Sequence, residues 1–90
     1  MPHLRFRAIE RDSLARCSGE LVEKLSALTG APAAHFTLER VQTEFILDGQ
    51  TVPGSTFVEL LWFDRGQQVQ DAAAQIITQV IQGELGPQQD

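Results

Sequence analysis

The residue with the most chemistry to offer stands second in the chain. Removal of an initiator methionine is efficient ahead of a small residue, and loss of Met1 turns Pro2 into a secondary amine at the amino terminus. An α-amino group titrates at about 7.7–8.0 in a peptide, and burial against apolar side chains or a nearby arginine lowers that value. A neutral amine near pH 7 can take a proton from a carbon beside a carbonyl and return it elsewhere. It can also attack a carbonyl or, when protonated, act as an acid. Many chains begin Met-Pro for reasons unrelated to chemistry, so the case for Pro2 depends on its surroundings.

Such chemistry calls for a cation that binds a carboxylate and stabilises the enolate oxygen as it forms. Arg65 is the first choice, in the Asp64-Arg65-Gly66 turn between a strand and a helix, where the helix start also offers backbone N–H groups. Arg40 is the second, placed where a long strand changes its inward face and could enter a neighbour's site. Arg5 and Arg7 lie on the strand face opposite Pro2 and suit ion pairs better. Glu59, inside an apolar run, needs a cationic partner, and Arg5, Arg7 or Arg40 could supply it. His3 directly follows the amine and could tune it, or simply be an exposed strand histidine. Phe36 and Trp62 are candidates for an apolar wall.

The elements that must position these residues read clearly. Residues 3–9 alternate polar His3, Arg5 and Arg7 with apolar Leu4, Phe6 and Ala8, the period of a strand with one dry face, and Pro2 shares parity with that face. As part of a strand-first chain, Pro2 is expected at the sheet edge. A helix capped by Asp12 or Ser13 runs to about Leu28, with Leu14, Cys17, Leu21, Leu25 and Leu28 in its stripe and Gly30 and Pro32 beyond its end. Phe36 to Leu47 reads as one long strand whose inward parity switches midway, which means a bulge or a departure to a second surface. Asp48-Gly49 turns the chain. Thr56 to Phe63 reads as a central strand buried on both faces except at Glu59. A second helix spans about Gln67 to Gln82, ended by Gly83, Gly86 and Pro87, and a polar tail follows. The β-α-β-β-α order predicts a two-layer α+β domain over residues 1–90 with both helices on one sheet face. Strand-helix occurring twice fits a duplicated unit whose second copy lacks its last strand.

Length and composition exclude other classes. Ninety residues make one marginal core, for which oligomerisation is a natural source of stability, and 42% hydrophobic with 21% charged residues is a globular balance. No apolar run is long enough to span a membrane and the amino terminus has no export pattern, so the cytoplasm is expected. A net charge of −5 and a pI of about 4.8, with scattered basic residues, argue against nucleic acid. Cys17 is a lone cysteine on the helical stripe, read as a small buried hydrophobe. It and the distant His3 and His35 offer no metal-ligand spacing, and no cofactor is expected.

Residues 1–7, Met-Pro-His-Leu-Arg-Phe-Arg, and residues 57–65, Phe-Val-Glu-Leu-Leu-Trp-Phe-Asp-Arg, resemble a little-characterised family within the tautomerase superfamily. Phe36-Thr37-Leu38-Glu39 and the helix around Gln70-Asp71 extend the resemblance over nearly the whole chain. Similarity to that superfamily, which includes 4-oxalocrotonate tautomerase and macrophage migration inhibitory factor, implies a duplicated β-α-β fold and trimers or hexamers, a trimer being favoured here. It also implies Pro2 as general base or acid, Arg65 and more loosely Arg40 as binders of a small carboxylate substrate, and Phe36 or Trp62 as the aromatic wall. Relatives continue into a further strand after the second helix, so the expected sheet has an open edge.

Two further readings stand beside keto-enol tautomerisation. One is a non-catalytic oligomer that keeps the fold. The other is a ferredoxin-like binding module, which an exposed Trp62 on the free sheet face would favour.

Overall fold

The computed structural model describes residues 2–86 and has the α+β class expected, with five strands among the described residues where the sequence suggested three. Met1 and residues 87–90, which include the helix-ending Pro87 and the polar tail, lie outside the described residues. Strand β1 (His3–Arg7) leads into helix α1 (Arg11–Thr29), and a short 3₁₀ turn (Ala33–His35) precedes β2 (Thr37–Val41). A hairpin of β3 (Phe45–Leu47) and β4 (Gln50–Val52) follows, then β5 (Phe57–Leu61) and helix α2 (Gln67–Leu85).

The alternation in residues 3–7 does what period 2 requires: Leu4 and Phe6 are fully buried, whereas His3, Arg5 and Arg7 are only half-buried. Both helices cover the Leu4–Phe6 face. Leu14, Cys17, Leu21 and Leu25 of α1 and Ala73, Val80 and Ile81 of α2 form one core with them. Each fully buried side chain of Leu or Phe size contributes roughly 1.5–3 kcal/mol.

Helix α1 begins earlier than its sequence suggested, with Glu10 at the N-cap and no side-chain cap bond. Ser13 is drawn into the core boundary and accepts a hydrogen bond from Arg16 instead of capping. Gly30 ends the helix in the left-handed region at φ 77°, its N–H donating to Ser26 O, a conformation that costs a residue with a Cβ more than it costs glycine. Helix α2 runs through Gly83 to Leu85 before Gly86 caps it. Packing of α2 against α1 outweighs the propensity cost of one internal glycine.

Three expectations are corrected. First, Phe36–Leu47 is two strands: β2 ends at Val41, residues 42–44 leave the sheet, and among the described residues β3 pairs only with β4. The parity switch marks that departure, and positive φ at Asp48 (52°) and Gly49 (74°) closes the hairpin in the primed-turn geometry such loops prefer. Second, the sheet order is β2-β1-β5, which puts β1 at the centre and Pro2 at the end of the central strand. Third, β5 is an edge strand, with Val58 and Leu60 turned toward the helices and Phe57 (53%) and Leu61 (45%) exposed. Its apolar run reflects two faces of different fate, because the helices cover only one.

Candidate functional site at the start of the central strand

Pro2 is buried, and its carbonyl accepts a hydrogen bond from the Thr37 N–H at 3.1 Å. The first rung of both ladders pairs His3 with Thr37 on one side and with Leu61 on the other. One rung earlier, Pro2 is therefore level with Phe36 in the parallel direction and with Trp62 in the antiparallel one. Phe36 is buried in the core, and Trp62 is half-buried against it. The two residues expected to form the wall thus flank the proline from the β2 and β5 sides, on the same face of the sheet. Trp62 shares the parity of Val58 and Leu60, so it belongs to the covered face and not to the free face that a stacking nucleic-acid binder would use.

Arg65 joins this group. Its guanidinium carbon lies 5.2 Å from the centroid of the Trp62 ring, within the range of a cation–π contact. Its Nε is buried and, among the described residues, has no hydrogen-bond partner, an arrangement that costs free energy unless a ligand supplies an acceptor. The preceding turn is held by Asp64, whose Oδ1 accepts the Gly66 N–H at 2.8 Å. Gly66 has φ 89°, which lets the chain reverse directly into α2.

Arg40 stands elsewhere. It is level with Phe6 on β2, and its Nε donates to the Ile9 carbonyl at 2.7 Å. Four residues of strand separate Phe6 from Pro2, about 13 Å, so one chain does not bring Arg40 to the proline.

The open face of the sheet carries a charge network that the sequence only outlined. Arg7 pairs with Glu59 and so supplies the partner that carboxylate needed. Glu39 accepts hydrogen bonds from His3 Nε2 at 2.9 Å and from Arg5 Nε at 3.0 Å, and His3 Nδ1 is hydrogen-bonded to Thr37 Oγ1 at 2.6 Å. These bonds, His3 first and Arg5 next, hold the Glu39 carboxyl below its ordinary range, and Glu39 in turn raises the Arg5 guanidinium. Odd-position parity on β1 and β2 placed these residues on one face, but the cross-strand partners follow from register. Burial, and then the charge of Glu84, pushes the Cys17 thiol upward, consistent with a packing role.

A second feature had no sequence signal. A groove of about 680 Å³ runs between β5 and α2, lined by Val58, Leu60 and Trp62 below and Ile77 and Ile81 above. Among the described residues no group of three or more His, Cys, Asp or Glu could hold a metal ion, and no helix is long and apolar enough to cross a membrane.

A strand-helix unit used twice, helices on one sheet face and a buried proline starting the central strand define a protein of the tautomerase fold. Residues 1–89 match the family described as Domain of unknown function (DUF1904). The chain belongs to that family. A solved DUF1904 domain from Sebaldella termitidis is 35% identical, with a TM-score of 0.85 over 92% of this chain and 77% of that one. The macrophage migration inhibitory factor-like protein of Entamoeba histolytica shares the fold at 17% identity and TM-score 0.71, over 97% of this chain and 78% of that one. A fused 4-OT described as a symmetric trimer does so at 15% identity and TM-score 0.70, over 97% and 75%. No curated protein matches the chain.

Proposed function

We propose that this chain is a tautomerase-type enzyme acting on a small 2-keto or enol acid, with the Pro2 nitrogen as proton carrier and Arg65 as carboxylate binder. The observation that carries the reading is the grouping of a buried Pro2 between Phe36 and Trp62, with Arg65 stacked on that same tryptophan. With Met1 removed, the neutral amine takes a proton from the carbon beside the carbonyl and an enolate forms. The prolinium then returns that proton to the other end of the conjugated system, so no proton is gained or lost overall. The planar guanidinium suits a carboxylate bidentately, and its orphaned Nε gains an acceptor when the substrate arrives. Apolar walls favour the uncharged amine, as a base near neutral pH requires.

Assembly is part of this reading. The fold is that of a chain described as a symmetric trimer. The charges on the open sheet face are paired within the chain, and Phe57, Leu61 and Phe63 are exposed, so this face suits contact with other copies. The second reading, a non-catalytic oligomer of the same fold, draws on Arg40 being committed to the Ile9 carbonyl, which leaves Arg65 as the candidate cation in one chain.

Ultraviolet absorbance during ketonisation of a panel of enol acids separates the two. Intact mass first establishes that Met1 is absent. Pro2→Ala is expected to slow the reaction by roughly a hundredfold or more, the usual contribution of a positioned base, and Arg65→Ala to raise KM. Equal rates in all three proteins, or none above buffer, would leave the non-catalytic oligomer.

A further inference from the structure

His3 directly follows the proposed proton carrier in the chain. It stands on the open face of β1, level with Thr37 on β2, and its ring is bonded at both nitrogens: Nδ1 to Thr37 Oγ1 at 2.6 Å and Nε2 to Glu39 Oε1 at 2.9 Å. Arg5 Nε donates to the same Glu39 oxygen at 3.0 Å and steadies it from the rung beside it. In the neutral tautomer that donates from Nε2 to the carboxylate, Nδ1 accepts from the Thr37 hydroxyl. A protonated ring donates from both nitrogens, and the hydroxyl then accepts. Both bonds therefore survive a change in the charge of the ring.

Thr37 joins this cluster to Pro2. Its backbone N–H donates to the Pro2 carbonyl at 3.1 Å while its side chain holds His3. The peptide group between residues 2 and 3 is thus gripped at its carbonyl and, through the imidazole, at the residue that follows. An amino-terminal residue has nothing before it to hold it and frays unless tied down. The amine nitrogen of Pro2 is bonded to Cα, so once that peptide plane is set it moves by rotation about the Cα–C bond. The burial of Pro2 between Phe36 and Trp62 restricts this rotation. A base must meet its proton along a defined approach, and a displacement of about 1 Å can cost roughly a hundredfold in rate.

We infer that His3, clamped between Thr37 and Glu39, is a positioning residue that fixes the direction of the Pro2 amine, a role that rests on Pro2 acting as the proton carrier. The clamp acts from outside the site: the side chains of His3, Thr37 and Glu39 lie on the open sheet face, away from Phe36 and Trp62 on the covered one.

Thr37→Val removes the hydroxyl but keeps the β-branched shape and the backbone N–H that bonds Pro2. In this variant and in His3→Ala, kcat for ketonisation is expected to fall roughly tenfold, with KM within about twofold of wild type because Arg65 is untouched. Thr37→Ser restores a hydroxyl and is expected to recover the rate, and His3→Ala/Thr37→Val to lose little more than either change alone. Circular dichroism verifies that each variant is folded. A readout without substrate runs beside these: once intact mass shows Met1 absent, relaxation of the Pro2 Cα–Hα bond is expected to give an order parameter of about 0.85 in the wild type and below about 0.6 in Thr37→Val and His3→Ala. An unchanged order parameter in Thr37→Val would overturn the inference whatever the rates. With an active wild type, so would an unchanged kcat in that variant, a loss confined to KM, or equal losses in Thr37→Val and Thr37→Ser. A wild type without activity removes the proton-transfer reading instead, and the order parameter alone then decides whether the clamp holds Pro2.

Discussion

Trp62 is level with Pro2 across the β1–β5 ladder and lies 5.2 Å beneath the guanidinium of Arg65. One side chain therefore stands beside Pro2 and underlies the Arg65 guanidinium, which under the proposed function makes it both wall and platform. Neither neighbour is close in sequence to the proline. Their meeting depends on β5 running antiparallel to β1, so that the end of one strand lies beside the start of the other.

Replacing Trp62 by Leu removes the platform but keeps an apolar wall. A cation–π contact contributes about 0.5–2 kcal/mol, so affinity for a small 2-oxo acid is expected to fall by roughly 2- to 30-fold. Arg65→Lys is expected to weaken it as well, because an ammonium lacks the planar fork. Calorimetric titration of each variant with the same acid checks both, and unchanged affinity in Trp62→Leu would remove the platform role.

Leu21 is completely buried between the helices and the sheet. Leu21→Ala is expected to destabilise the chain by about 2–5 kcal/mol, a large share of the roughly 5–15 kcal/mol typical of a whole domain. Urea unfolding at fixed protein concentration measures it. A cost well under 1 kcal/mol would mean that the helix layer is packed differently.

Glu39 makes stability depend on pH in a stated direction. Its carboxyl is held below the ordinary glutamate range by bonds from His3 and then Arg5. The stabilisation is present in full above the carboxyl's ordinary, unfolded-state range and is lost as pH falls through the lower, folded-state value. The thermal midpoint of the wild type should therefore drop more between pH 5 and about pH 3 than that of Glu39→Gln. Parallel curves would mean that the hydrogen bonds to Glu39 do not persist in solution.

Cys17 should behave as a core residue. With the thiol buried and its ionisation pushed upward, reaction with a disulfide reagent at pH 8 is expected to be at least roughly tenfold slower in the native chain than in denaturant. Equal rates would place the thiol at the surface.

Gly30 adopts φ 77° at the end of α1. Gly30→Ala forces a Cβ into the left-handed region and should cost about 1 kcal/mol. Nothing lies within 4 Å of the added carbon, so the cost is conformational alone, and a chemical denaturation midpoint reads it directly.

The sequence by itself determined what rests on local periodicity and residue chemistry. The alternation in residues 3–7, the Leu14–Cys17–Leu21–Leu25 stripe and the Gly30 stop specify the first strand and helix, because buried faces must repeat with the period of their element. Pro2 as a potential amine and Arg65 in a strand-to-helix turn were legible in the same way. The tertiary structure decided what rests on pairing. A run such as Phe57–Leu61 has the same composition at a sheet's centre or at its edge, and only the order β2-β1-β5 shows it to be an edge. Register put Phe36 and Trp62 on either side of Pro2, and it set Arg40 at the far end of β2, bonded to Ile9. Strand pairing is a contact between segments distant along the chain, so no window of sequence contains it, and the open groove beside β5 exists only once that pairing is made.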